Sequence, residues 1–233
     1  MCGRYRLSRR KQLVEKYFDS AGEDDWNPRY KVAPTQPVPI IRQNPKVARR
    51  ELSLVRWGLL PSWSKDSSAA AGMINARAET AETKPAFRDA LRFRRCLIPA
   101  DGFYEWKRLG KEKQPYCFEV NEGVLFAFAG IWEKWKDAGG KLLETCSILT
   151  TNPNAVTSAV HDRMPVILNP ENYDVWLDPG MKNADAISDM LKPYDARFMR
   201  AFPVSNRVNH AANDDEECSI PVKLVQGQSC LFS

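Results

Sequence analysis

Tyr116-Cys117-Phe118-Glu119-Val120-Asn121-Glu122-Gly123-Val124-Leu125-Phe126-Ala127-Phe128-Ala129 holds two short apolar runs around a three-residue break. Tyr116–Val120 and Val124–Ala129 read as strands, and Asn121-Glu122-Gly123 as the hairpin turn between them. The same pattern recurs on both sides. Ala138-Gly139-Gly140 joins Ile131–Lys136 to Leu142–Thr150. Upstream, Val38–Ile41, Glu51–Val55, Cys96–Ile98 and Phe103–Trp106 are bounded by Pro, Gly and Asn. A few helices accompany the strands. Ser8 is placed to cap a first helix with Leu13, Val14, Tyr17 and Phe18 on its apolar face. A second starts near Pro85 with Phe87 and Leu91 on one side, and a third follows Asn169 with Tyr173, Trp176 and Leu177 inward. Ile187, Met190 and Leu191 mark a fourth. Ser64–Gly72 reads as a Ser/Ala loop, and no linker or repeat divides the chain. The expectation is α+β: a single compact domain over 1–233, mainly antiparallel strands, barrel-like or sandwich, with peripheral helices.

With 233 residues, 43% of them hydrophobic, and seven Trp, the chain can bury a proper core. It has no apolar run long enough to span a bilayer, and Met1-Cys2-Gly3-Arg4 is no signal peptide. The expected location is therefore cytoplasmic, with no membrane partner. The six Cys (2, 96, 117, 146, 218 and 230) form no C-x-x-C pair and are expected as thiols in a reducing compartment. Two His, His161 and His210, without metal-ligand spacing, argue against a zinc site. The absence of a G-x-G-x-x-G or P-loop pattern argues against a nucleotide cofactor, so no cofactor is expected. A net charge of +5 is compatible with a polyanionic partner.

Cys2 carries the most chemistry. Removal of Met1 would leave a 1,2-aminothiol, a pair that no internal residue offers. Both groups titrate near pH 8, and the adjacent ammonium is expected to lower the thiol further. Such a group condenses with an aldehyde through the amine and then closes a thiazolidine through sulfur. It could equally attack an amide as an N-terminal nucleophile. The plain alternative is a small buried residue at a chain end.

Three further segments hold polar residues that the apolar pattern does not explain. If Ile74–Thr80 is extended, Asn75, Arg77 and Glu79 share one face, suited to a sugar hydroxyl and its phosphate or simply to solvent. Glu105 lies between Tyr104 and Trp106, and aromatic surroundings raise a carboxyl pKa towards that of a proton donor; otherwise it is a surface Glu on an edge strand. His161 leaves a loop two residues before Arg163, so it is either a proton shuttle or a structural histidine. His210, beside the acidic Asp214–Glu217 run, reads as structural.

Met1–Arg4, Tyr30–Pro34, Val55–Leu59, Asn75–Thr80, Pro99–Trp106 and His161–Pro165, in this order, closely resemble the SOS-response-associated peptidase family of abasic-site shielding proteins. Pro203–Asn209 resembles the family's closing segment, which leaves 210–233, with Cys218 and Cys230, unassigned. The resemblance implies a strand-rich α+β domain whose mature Cys2 forms a thiazolidine with an abasic deoxyribose in single-stranded DNA. It also implies an active site of Cys2, Asn75, Glu105 and His161, with Arg4, Arg77 and Arg163 near phosphates. Where some members carry an Arg, this chain reads Thr83-Lys84-Pro85, leaving Lys84 or Arg88 for that phosphate. Trp63 and Trp106 are candidates to stack on bases beside the lesion, or equally to pack in the core. A monomer, nucleoid-associated when on DNA, is expected. The rivals are an N-terminal-nucleophile peptidase, which could cut the Met1-Cys2 bond itself, and a non-covalent single-strand-binding module.

Overall fold

In the computed structural model, the apolar runs become strands wherever Pro, Gly or Asn interrupts them, and residues 2–44, 49–181, 183–210 and 212–224 are described. In chain order, β1 (Tyr5–Leu7), β2 (Ser20–Ala21), β3 (Arg29–Val32) and β4 (Pro37–Gln43) lead to β5 (Arg50–Trp57). Then come β6 (Asn75–Arg77), β7 (Arg95–Ala100), β8 (Gly102–Leu109), β9 (Glu112–Val120), β10 (Phe126–Lys136) and β11 (Leu142–Thr151). The short β12 (Met164–Pro165), β13 (Ile167–Leu168) and β14 (Met199–Pro203) follow. The helices are α1 (Lys11–Phe18), α2 (Ala78–Ala81), α3 (Arg88–Phe93), α4 (Tyr173–Leu177) and α5 (Ala184–Met190).

Strands β11, β10, β7, β4 and β5 pair in that order, and β5 pairs back onto β11 with Thr145 beside Arg56 and Cys146 beside Trp57. The sheet thus closes as a five-stranded barrel, antiparallel except at its parallel closing ladder. Closure leaves these five strands no bare edge. A second sheet runs β14-β9-β8-β1-β3. Buried aromatics join the two: Tyr5 of β1 meets Trp57 and Phe128 edge-on, and Phe103, stacked on Phe118 of its own sheet, also meets Phe128 edge-on. Each such ring contributes roughly 1.5–3 kcal/mol by leaving water. Gly130 of β10 lies where a Cβ would come within 2.8 Å of Cys96 Sγ and Ile98, so close strand packing requires glycine there.

The Asn121–Gly123 segment is not a hairpin. β9 pairs with β8 and β14, whereas β10 pairs with β7, β11 and β13. Asn121, Glu122 and Gly123 take φ of 42°, 62° and 87°. Three successive left-handed residues carry the chain out of one sheet and into the other, where Phe128 packs on Tyr5 and Phe103. Val124 is exposed and precedes the strand. The Ala138–Gly140 turn does make the hairpin of β10 and β11, with Lys136 opposite Leu142.

Ser8 does not cap α1. Its amide and hydroxyl both donate to Asp101 Oδ2, at 2.8 and 2.7 Å, and Arg10 takes the cap position. Only Val14 and Phe18 of that helix are buried, with Leu13 and Tyr17 exposed. The Ser64–Gly72 stretch contains a 3-10 turn, Ser67–Gly72, with Ala70 buried. The later helices bury Phe87, Leu91, Tyr173, Trp176 and Leu177 as expected. The stretch beyond Asn209 also packs onto the domain. Asp214 accepts from the amides of Tyr30 and Lys31 and pairs with Arg29, and Cys218 is buried with Tyr104 and Cys117. Cys230 lies outside the described residues.

An ion cluster fixes β1. Arg6 donates to Asp101 Oδ1 at 2.6 Å and to Glu119 Oε1 at 2.8 Å, and Glu119 Oε2 accepts from Arg200 at 2.7 Å. Arg6, Asp101 and Glu119 are all buried. Removing one partner strands the others as uncompensated buried charge. Asp101→Ala is therefore expected to cost about 3–5 kcal/mol, read as a lower urea midpoint at unchanged slope. A loss under about 1 kcal/mol would mean that the cluster is no more than a solvated surface pair.

Candidate active site

Cys2 reaches the site because β1 is paired on both sides, with β8 and β3. Tyr5 lies opposite Phe103 and the Tyr104 amide donates to the Arg4 carbonyl at 3.0 Å, a register that continued brings Gly3 opposite Glu105. The Cys2 side chain is fully buried, with Sγ 3.9 Å from the Arg4 carbonyl oxygen.

Strand β11 organises the rest. On one side it pairs in parallel with β6, setting Asn75 beside Ile148, and the Trp57 indole holds the Ile74 carbonyl at 2.9 Å. Asn75 Nδ2 then donates to the Cys2 carbonyl at 2.9 Å. Its Oδ1 is a buried acceptor with no hydrogen-bond partner among the described residues. Near its end β11 also pairs with β12, Thr151 opposite Met164, which places the loop carrying His161. His161 Nε2 stands 3.9 Å from Glu105 Oε2. The Arg163 amide donates to His161 Nδ1 at 3.0 Å, which leaves the proton of the neutral ring on Nε2, facing Glu105. Asp162 Oδ1 is 2.9 Å from the same Nδ1, but that carboxylate is exposed whereas the amide is fixed by the backbone, so the amide decides the tautomer.

Burial acts on both acidities at the site. In the chain that carries Met1, burial, followed by the Glu105 carboxylate, pushes the Cys2 thiol far above its usual range; the lowering expected from an adjacent ammonium belongs to the chain after Met1 removal, when Cys2 gains its own amine. Burial likewise raises Glu105, which is only 4% exposed, in the expected direction. The source differs from the sequence reading, because Tyr104 and Trp106 alternate to the other face of β8. There Tyr104 donates to the Tyr30 carbonyl and both pack in the cluster around Cys117.

The extended reading of 74–80 holds only to Arg77. Helix α2 starts at Ala78 and turns Glu79 away, onto Arg163. The Arg163 guanidinium meets Glu79 in a bidentate pair (2.7 and 2.9 Å) and also donates to the Thr150 carbonyl at 2.7 Å. That pairing holds the Glu79 carboxyl below the usual carboxylate range. Arg163 is thus already engaged by protein groups. Arg77 is exposed, and Arg4 is half-buried and donates to the Gly3 carbonyl at 2.6 Å. Trp63 is 64% exposed, whereas Trp106 is partly packed and donates to Asn209 Oδ1 at 2.7 Å. Lys84 and Arg88 are exposed; Arg88 pairs with Asp89 and lines a separate surface cleft of about 580 Å³. The roles of Glu79 and Thr150 were missed in the sequence, since 84 residues separate Glu79 from Arg163. Among the described residues, no group of three or more His, Cys, Asp or Glu could hold a metal ion, and no helix is long and apolar enough to cross a membrane.

A buried cysteine whose backbone is held by a carboxamide, with a carboxyl–imidazole pair beside it, makes a candidate cysteine-centred acid–base site built on strands. The chain belongs to the SOS response associated peptidase family, whose model matches residues 1–211. It is 45% identical over 221 residues to the abasic site processing protein YoqW of Bacillus subtilis, covering 93% of this chain and 98% of that protein. It is 30% identical to the abasic site processing protein HMCES of Gallus gallus, covering 87% and 68% of the two chains. A crystal structure of a Bacteroides thetaiotaomicron protein superposes with a TM-score of 0.86 at 29% identity, over 95% of this chain and 100% of that one.

A raised thiol pKa leaves less thiolate at neutral pH. Alkylation of Cys2 by iodoacetamide, followed by mass spectrometry, is expected to run far slower than for a free cysteine peptide. Its rate should still climb through pH 9, where an ordinary thiol is levelling off. Rapid labelling with a plateau near pH 8 would show the thiol to be accessible and unshifted.

Proposed function

We propose that this protein processes abasic sites in single-stranded DNA by joining Cys2, once Met1 has been removed, to the sugar aldehyde as a thiazolidine. The convergence of Asn75, Glu105 and His161 on Cys2 carries the reading, and the named activity of the relatives supports it. The abasic sugar is mostly a closed hemiacetal. His161 passes its Nε2 proton to the ring oxygen while the Glu105 carboxylate takes the proton of the anomeric hydroxyl, freeing the aldehyde; Glu105 then returns that proton to Nε2. The α-amine attacks that carbon, and Glu105 moves the protons that let the carbinolamine lose water. The Cys2 thiol then adds to the imine carbon, its proton passing through Glu105 to nitrogen. Carbon–sulfur bond formation closes the ring and nothing is oxidised or reduced. Asn75 fixes the Cys2 backbone, and its buried Oδ1 is available to the α-amine. Holding amine, thiol and aldehyde together makes the condensation intramolecular. Arg4 and Arg77 take backbone phosphates, with Lys84 or Arg88 further along, and Trp63 and Trp106 stack on neighbouring bases. A thiol peptidase needs a depressed thiol pKa, and while Met1 is attached burial pushes Cys2 the other way, which favours amine-led chemistry over a thiolate attack on the Met1-Cys2 bond.

On a denaturing gel, single-stranded DNA with one abasic site is expected to shift to a stable band. A salt-sensitive complex alone would support a binding module, and turnover of a peptide without a band a hydrolase. Cys2→Ser should leave only a labile species trapped by borohydride; a stable adduct without reductant would remove sulfur from the mechanism. Protein that retains Met1, verified by intact mass, should bind but not crosslink, because an amide nitrogen forms no imine.

Glu105→Gln is expected to slow crosslinking by about one hundredfold or more. His161→Ala should hurt more on the closed sugar than on a pre-opened aldehyde analogue. Equal losses on both would make His161 a positional group rather than the ring-opening acid. Arg77→Ala should weaken binding and flatten its salt dependence.

A further inference from the structure

One carboxylate near the site has no part in the chemistry above. Glu79 sits in the first turn of α2, two residues after the strand that presents Asn75 ends. Both its oxygens are spent on Arg163, at 2.7 and 2.9 Å. The same guanidinium donates to the Thr150 carbonyl at 2.7 Å and approaches Asn152 Oδ1 at 3.3 Å, so it is braced from α2 and from the end of β11. The Arg163 side chain is largely buried. Its backbone amide is the group that donates to His161 Nδ1.

We infer that Glu79 is a positioning residue for His161: by clamping Arg163 it aims the Arg163 amide at Nδ1 and so keeps the imidazole proton on Nε2, towards Glu105. Among the described residues, the Arg163 amide and Asp162 compete at Nδ1, with Glu105 opposite Nε2. If the amide swings away, Asp162 remains as an acceptor 2.9 Å from Nδ1 and draws the proton there. Nε2 would then be a bare acceptor facing a carboxylate, unable to protonate the sugar oxygen. The β6–α2 segment therefore serves both halves of the site, Asn75 holding Cys2 and Glu79 holding His161. This role in catalysis rests on the proposed function, while the effect on the tautomer does not.

The chain has two His, so nitrogen-15 imidazole NMR of the full protein reads His161 directly, with His210 as an internal reference for the intact fold. The wild type is expected to show the Nε2–H tautomer, and Glu79→Ala a shift towards Nδ1–H. Crosslinking at saturating abasic DNA should fall by about tenfold or more, the scale of a misplaced catalytic group. Affinity for the same DNA, read in a Cys2→Ala background, should stay unchanged. Glu79→Gln keeps one acceptor and is expected to lie between, which also serves if Glu79→Ala disturbs the His210 signals. An unchanged tautomer in a folded variant overturns the inference. So does tighter, more salt-sensitive DNA binding at unchanged tautomer, which would make Glu79 a screen over Arg163. A wild type that forms no adduct would sink the proposed function, yet the NMR comparison would still decide the role of Glu79.

Discussion

The Arg6 guanidinium, buried between Asp101 and Glu119, is the contact on which the rest of the site depends. β1 is only three residues long, too short to hold its place by backbone hydrogen bonds alone. The ion cluster adds a tether to the β7–β8 corner and, through Glu119 and Arg200, to β9 and β14. Because Tyr5 immediately precedes Arg6, the same anchor drives its ring between Trp57 and Phe128. With β1 pinned there, Cys2 has little choice of position, and a chain end, ordinarily the loosest part of a domain, becomes a buried element of its core.

β11 is the second constraint. It lines the barrel through β10 and β5, yet its far end pairs with β6 and β12, the two short strands that deliver Asn75 and His161. Both groups are thus referenced to one rigid strand, whereas Glu105 is referenced to the second sheet through β8. The site lies where the two sheets meet, and its distances are set by the aromatic packing between them. Local fluctuation in the loops matters less in such an arrangement, since each polar group is anchored within three residues of a strand.

Much of this was legible in the sequence, because strands bounded by Pro, Gly and Asn announce themselves locally. Phe103–Trp106 and the Ala138–Gly140 hairpin fall where the pattern put them. What pairs with what was less legible. Asn121-Glu122-Gly123 has turn chemistry but links different sheets, since the partner of β10 is decided by Phe128 finding Tyr5, 123 residues away in the chain's numbering but adjacent in the core. Ser8 has cap chemistry, yet Asp101, a buried carboxylate with lone pairs to fill, claims both its donors. Cys2 and Glu105 could be singled out as residues. Their acidities could not, because the sign of the Cys2 shift depends on burial that only the tertiary fold creates.

That burial bears on how such a site could work. An exposed 1,2-aminothiol would meet any aldehyde or oxidant in its surroundings, and the thiolate would be the vulnerable form. Enclosure beside Glu105 disfavours the Cys2 thiolate. In the proposed reaction this would withhold the sulfur until a group enters that engages the amine first. Desolvation penalises charge, not covalent bonding: the thiolate is disfavoured, but the neutral thiazolidine of the proposed reaction carries no such penalty. The same environment that makes Cys2 a poor general nucleophile therefore favours the product over a charged resting thiolate. In the proposed reaction the raised carboxyl of Glu105 would supply the proton transfers that a neutral thiol requires. On the proposed function, selectivity and protection would share one physical cause, the burial of Cys2 at the end of β1.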